Sequence, residues 1–327
     1  MPSFSCTIED ELPSGLRLDR YIAEQLKILS RSQIKVRKLK AKLNGKPVKI
    51  SRVLKAGDSL ELSWQEAESP FLIPQDIPLD VIYEDSRVIV VNKAQGMVVH
   101  PGAGNWQGTL ANALLCRKLI NAAKNPSIGN FNVMNQKDSA AETWPNMKHP
   151  GLRPGIVHRL DKDTSGVIIA AWDGETQTFL SEQFKSRKVR KGYAALVQGC
   201  PKDKLGCIDT RIIRSRRDRK TFVVSDKEGR TSLTYFKLVR SYGNYSLLLL
   251  RPKTGRTHQL RVHLKYLGTP ILGDALYGRP DSVFPKATLM LHSKSLSLVL
   301  PGEKEKKKFR AQLPLRFLEV MNHFCNQ

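Results

Sequence analysis

The chain reads as an α+β protein: a small N-terminal unit followed by a larger domain built on a mixed, largely antiparallel β-sheet with flanking helices. Three observations predict this. A length of 327 residues exceeds one ordinary domain. The stretch from residue 65 to residue 78 carries three prolines and several acids without apolar periodicity, as a linker does. Beyond it, strand-like runs follow one another with few helices between them, an order that favours antiparallel pairing over a doubly wound parallel sheet. The expected boundaries are 14–64 for the first domain, 65–78 for the linker and 79–323 for the second domain.

In the first unit, Leu18, Ile22 and Leu26 recur at helical spacing, and Ser30 opens a second helical stretch. Asn44-Gly45 marks a tight turn, Pro47 to Leu62 alternates as strands do, and Ala56-Gly57-Asp58 turns again. From Leu16 to Trp64 there are 13 Lys/Arg against 4 Asp/Glu, a difference of +9. Arg31, Lys35, Lys38 and Lys42 fall at spacings of three and four, which would set a row of positive charge on one helix face. A solvated face and an RNA-phosphate contact account for such a row equally well.

The whole chain carries a formal charge of +24 and a pI near 10, which points to a polyanionic partner, nucleic acid first. An anionic membrane surface could attract the same charge, but apolar runs such as Tyr245 to Leu250 are far short of the ~18 residues needed to span a bilayer, and no membrane partner is expected. The N-terminus lacks the apolar core of a signal peptide, and five scattered cysteines make no disulfide framework. A cytoplasmic protein without disulfides is expected. Cys200 and Cys207 have no second Cys or His pair at zinc-finger spacing, so no metal is assigned to them.

In the second domain, strands are expected over Asp80 to Tyr83 and Arg87 to Asn92, followed by the turn HPGAGN and a helix from Thr109 to about Ala122. Asn121 to Pro150 has little periodic pattern and reads as a surface insertion. An apolar strand Gly166 to Trp172, a helix near Glu175 to Arg187, and strands near Tyr193 to Gln198, Ser232 to Arg240 and Tyr245 to Arg251 follow. Between the last elements, Arg211, Arg214, Arg216, Arg217, Arg219 and Lys220 form a basic run suited to an RNA-contacting hairpin.

GIVHRLDKDTSGVIIAAW places His158, Arg159, Asp161 and Asp163 in a polar loop beside apolar strands, where rigid scaffolds present reactive groups. Three chemistries compete there: a metal site of His158 with the two acids, an aspartyl-phosphate loop, or one carboxylate acting as nucleophile or base beside RNA-binding cations. Arg159 and Lys162 disfavour the metal, and the separation of Val157 from Asp161 weakens the phosphate loop.

Two resemblances sharpen this reading. RLDRYIAEQLKILSRSQIKVRKLKAKLNGKPVKISRVLKAGDSLEL resembles an S4 domain, a small RNA-binding module, and implies an accessory RNA grip. HRLDKDTSG resembles the signature loop of RluA-type pseudouridine synthases, with further matches in VIYEDSRVIVVNKAQGMVVHPGAGN, VRKGYAALVQG, TGRTHQLRVHL, GDALYG and LHSKSL. Together these span nearly all of the second domain. Ala94 departs from the proline that the family often has in an NKPxG turn, which affects a loop's stiffness.

The resemblance implies isomerisation of uridine to pseudouridine with Asp161 as the catalytic carboxylate and no guide RNA. The expected substrate is a uridine in a stem-loop of 23S ribosomal RNA, with transfer RNA or a non-catalytic assembly role as alternatives. It also implies that Arg261 pairs with Asp161, that Tyr193 stacks on the flipped uracil and assists proton removal from C5, and that Arg159 fills the space the base leaves. Arg256 is assigned to phosphate binding, His158 to holding the loop with Thr164, and Asp163 to no role. The chemistry suits a carboxylate independently, since one can stabilise or bond a cationic sugar C1′, with attack at C6 of the uracil ring as the alternative. Substrate and product are isomers, so no cofactor is required, which agrees with the absence of a Walker or dinucleotide fingerprint. A monomer is expected.

Overall fold

The computed structural model describes residues 2–8, 13, 15–26, 28–29, 34, 37–65, 72–102, 104–124 and 155–325. They form two compact units, Met1–Phe71 and Leu72–Gln327.

The first unit is a four-stranded antiparallel sheet of β1 (Ser3–Thr7), β2 (Lys40–Leu43), β3 (Lys46–Val48) and β4 (Ser59–Ser63), in the order β1-β4-β2-β3. Its edge strand β1 lies upstream of the boundary expected at residue 14. One helical segment, α1, is an α-turn over Leu18–Arg20 that continues as a π-helix over Tyr21–Gln25. It lays Leu18 and Ile22 on Leu60, Leu62 and Trp64. The charged row at helical spacing is corrected here. Lys42 lies in β2, where Lys40 and Lys42 point out while Ala41 and Leu43 are buried, the period of two that defines a strand. Lys38 sits in a turn at φ +47, outside any helix. Arg31 and Lys35 lie outside the described residues, as does the helix start at Ser30. Asn44 and Gly45, both at positive φ, form the β2–β3 turn as read from the sequence.

The second unit is organised on a ten-stranded sheet: β5 (Val81–Glu84), β6 (Val88–Lys93), β7 (Ser165–Ala171), β8 (Arg190–Gln198), β9 (Leu205–Arg214), β10 (Phe222–Ser225), β11 (Arg230–Tyr242), β12 (Tyr245–Pro252), β13 (Leu291–Val299) and β14 (Lys306–Arg310). The order is β10-β9-β11-β12-β8-β13-β7-β6-β5, with β14 beside β13. All pairs are antiparallel except β13 with β7. Helices α2 (Leu110–Lys124), α3 (Gly174–Lys185), α4 (Gln259–Tyr266) and α5 (Leu315–Cys325) flank it. The sheet is mixed and mostly antiparallel, as its run of consecutive strands predicts.

Every residue of β7 is buried, so this strand is the spine of the sheet. Asp173 caps α3 by accepting the Thr176 N–H at 2.7 Å, which fixes where the chain leaves β7. Residues 72–78, expected as linker, are tied to α2: the Asn112 amide donates to the Ile73 carbonyl at 2.8 Å, and Gln75 Oε1 accepts the Gly108 N–H at 2.7 Å. The insertion expected over 121–150 is helical to Lys124 and otherwise lies outside the described residues. The basic run falls on β9 and on the turn into β10, a hairpin.

Candidate active site

The loop from Gly155 to Ser165 is pinned at several points. Gly155, at φ +48, accepts the Ala171 N–H at 2.9 Å, and a Cβ there would overlap the Ala171 carbonyl. Leu160 is buried with Ile89, Val91, Leu110 and Ile168, so the residue before Asp161 is held in the core. The Thr164 N–H closes the turn on the Asp161 carbonyl at 3.1 Å. From the opposite side, the buried Lys93 ammonium donates to the carbonyls of Ala94, Met97 and Lys162 at 2.8, 2.7 and 3.1 Å. Burial pulls its pKa down to about 8, against the opposing fields of Asp163 and Asp161.

His158 also holds the loop, although not through Thr164. Its Nε2 accepts the Ile169 N–H at 3.1 Å, and its ring stacks on Phe184 at 4.5 Å. Desolvation pushes its pKa down to about 3, so it is a neutral acceptor. Asp163 is exposed, and its backbone carbonyl accepts the Gln95 amide at 3.0 Å.

TGRTHQLRVHL folds as a turn and a short helix because Gln259 satisfies both. Its Oε1 accepts from Thr254 Oγ1 at 2.8 Å and the Arg256 N–H at 3.0 Å, and its amide donates to the Leu233 carbonyl and Thr234 Oγ1. His263 lies between Thr234 and Thr210 at 2.9 and 3.0 Å. These buried polar contacts clamp α4 to β11 and β9 and direct Arg261 at the loop.

Arg261 faces two carboxylates. Its Nε and Nη2 form a fork on the fully buried Asp274 at 2.7 and 2.6 Å, while Nη1 lies 3.8 Å from Asp161 Oδ2. Burial alone would lower the arginine's pKa; Asp274 and then Asp161 more than offset it, and the guanidinium is held charged. His258 stands at left-handed φ +55 ahead of α4, with Nδ1 2.8 Å from Tyr277 Oη and Nε2 4.0 Å from Asp161 Oδ2. Tyr277 Oη accepts the Phe222 N–H at 2.9 Å, so the root of the basic hairpin packs beside the site. Burial lowers the His258 pKa despite Asp161 nearby.

Asp161 is 22% exposed and borders two cavities. One, of about 460 Å³, is lined by His158, Arg159, Asp161, Tyr193, Arg256 and Arg261. The other, of about 900 Å³, lies beside the turn at Gly96 and includes His100 and Asn105. Arg159, Asp161, His258 and Arg261 line both. The Tyr193 phenol is pushed up to about 12, by desolvation first and by Asp161 in addition, so it stays protonated at neutral pH. Arg256 donates through Nε to the Thr231 carbonyl at 3.2 Å.

Asp161, Tyr193, Arg261, Arg159 and Arg256 thus converge on one cavity, whereas Lys38 and Lys42 belong to the other unit, Lys42 pairing with Glu61 at 3.5 Å. The sequence reading missed Asp274, Lys93 and His258. A signal existed for the first two: each is a lone charge against apolar residues, in PILGDAL and VIVVNK, and such charges stay buried only when partnered. Among the described residues no cluster of His, Cys, Asp or Glu could hold a metal ion, and no helix is long and apolar enough to cross a membrane.

A partly exposed carboxylate beside a held arginine, reached through open cavities ringed by cations, suits an enzyme that works on a polyanion. The family model described as RNA pseudouridylate synthase matches residues 87–266. The chain is 42% identical over 317 residues, 95% of its length and 90% of the relative's, to a protein of Borreliella burgdorferi named ribosomal large subunit pseudouridine synthase D. It is 39% identical to a protein of the same name from Xanthomonas campestris, covering 81% of this chain and 72% of that one. Among solved structures, human RNA pseudouridylate synthase domain containing 4 superposes with a TM-score of 0.56 at 25% identity, over 75% of this chain and 92% of that one. The chain belongs to the RNA pseudouridylate synthase family, and it is an RNA pseudouridine synthase.

Proposed function

We propose that the enzyme isomerises a uridine in a stem-loop of 23S ribosomal RNA, with Asp161 as the nucleophile. The observation that carries this is the setting of Asp161: a partly exposed carboxylate on a pinned loop, 3.8 Å from a guanidinium whose other edge is committed to Asp274. Asp161 attacks ribose C1′ as the bond to uracil N1 breaks. The freed base, held against Tyr193, turns to present C5; C1′ then bonds to C5 as the carboxylate is released, the C5 proton passes to water, and N1 takes a proton from water. Atoms balance without a cofactor. Arg261 sets a positive charge beside Asp161, and Arg159, which lines both cavities, occupies the gap left in the RNA stack.

The ribosomal target is supported by the names of the relatives that match along most of the chain. Residues 14–64 act as an S4 RNA-binding domain, joined through 65–78 to a catalytic domain over 79–323. The enzyme works as a cytoplasmic monomer without a guide RNA, Lys38 and Lys42 adding to the RNA grip of the S4 unit together with Arg31 and Lys35.

The test is tritium release from RNA labelled at uracil C5, comparing wild type with Asp161→Ala on 23S transcripts and on transfer RNA. Release from 23S RNA by wild type alone is expected. Release from transfer RNA alone would reassign the substrate, and binding without release from either would favour the assembly role.

A further inference from the structure

A second basic groove lies along β8 on the side turned away from the Asp161 cavity, and Lys191 and Tyr193 border both. Successive residues of a strand point to opposite faces, and residues paired across strands share one. Tyr193 turns toward the Asp161 cavity, so Arg190 and Gly192 turn away from it. Gly192 pairs with Ser295 and Ser295 with Arg310; Arg190 pairs with Ser297 and Ser297 with Lys308. Across β12 and β11, Arg251 pairs with Tyr235 and Leu249 with Lys237.

These positions line a groove of about 730 Å³. Its floor is made of the smallest residues on that face: a Cβ on Gly192 would overlap Ser295 Oγ. Its flanks carry Arg190, Lys237, Arg251, Lys294, Lys308 and Arg310, and no carboxylate lines it. None of these six cations forms a salt bridge with a described residue. Among them Tyr235 and Leu249 are 42% and 39% exposed, a ring and an apolar surface open to solvent between unpaired charges. Like charges gathered around a concave surface repel one another unless an anion lies between them. From β12 to β14 there are three strand spacings, about 14 Å, wide enough to seat a sugar-phosphate backbone.

We propose that this groove is a second RNA-docking surface, which binds the phosphodiester backbone of a part of the substrate RNA remote from the target uridine. The proposal rests on the reading of RNA as substrate and extends it. On this reading a short stem-loop held in the Asp161 cavity engages that cavity alone, whereas a long folded RNA also occupies the groove and gains affinity there.

The variant K237Q/R251Q/K308Q/R310Q tests this, since all four side chains are exposed and none belongs to the Asp161 site. Two probes are compared: a stem-loop of about twenty nucleotides and a long 23S ribosomal RNA transcript. The expected result is about tenfold weaker binding of the long transcript, with the log-log salt slope shallower by up to about 3, at about 0.7 for each single-strand phosphate that is no longer neutralised. Binding and turnover of the short stem-loop stay within about twofold of wild type, which also reports that the variant is folded. Unchanged affinity and salt slope on the long transcript overturn the proposal, as does an equal loss on both probes. Absence of pseudouridine formation by wild type would instead refute the catalytic reading and leave the binding comparison intact.

Discussion

Arg261 meets Asp274 through a two-pronged hydrogen bond at 2.7 and 2.6 Å and reaches Asp161 only with its remaining nitrogen, at 3.8 Å. The arginine is therefore held by one carboxylate so that it can face another. Asp161 thus lies beside a positive charge without being locked into a short contact with it.

Asp161→Ala is expected to abolish pseudouridine formation while RNA affinity stays within severalfold. Asp274→Asn should separate holding from chemistry. It leaves a buried guanidinium without its counter-charge, a change that costs about 3–5 kcal/mol of stability, and turnover should fall with it. Thermal unfolding and single-turnover assays check both, and full activity of Asp274→Asn would break the proposed link between the two acids.

Lys93→Met removes the ammonium that joins three carbonyls across the loop. Because the folded pKa is pulled from 10.5 down to about 8, the unfolded chain binds more protons between those values, and wild-type stability should rise with pH in that window by up to about 3 kcal/mol. Denaturant titrations at pH 7.5 and about 10 check this. The rise should vanish in Lys93→Met.

Three imidazoles make the catalytic unit acid-sensitive. His158 is held down to about 3, and His263 and His292 to about 4, each by burial first. The unfolded chain protonates them below about 6.5 while the folded one does not, so stability is complete above that pH and is lost as pH falls toward 4. With three protons involved, the slope reaches about 4 kcal/mol per pH unit at most. Urea midpoints from pH 7 to pH 4.5 read it directly, and a flat profile would show these groups to be charged in the fold.

Deleting residues 1–64 removes a unit with its own core. RNA binding should weaken by about tenfold or more, with turnover on saturating RNA within severalfold of wild type. An unchanged Kd would remove the N-terminal unit from RNA recognition.

The sequence by itself determined the elements whose signal is local. Strand-like runs marked β6, β8, β11 and β12, Asn44-Gly45 marked a turn, and a succession of strands with few helices between them marked a largely antiparallel sheet. The charge of +24 and the HRLDKDTSG loop pointed to RNA and to Asp161. Local spacing misled at Lys38 and Lys42, because three- and four-residue intervals among exposed lysines also fit a turn followed by a strand, and burial of Ala41 and Leu43 decided between them. Only the tertiary structure decided what each charge meets. Asp274 lies 13 residues from Arg261 and 113 from Asp161, and Lys93 donates to Lys162 across 69 residues. The physical reason is that a buried charge is stable only beside a partner, and where strands from distant parts of the chain come together decides which partner that is.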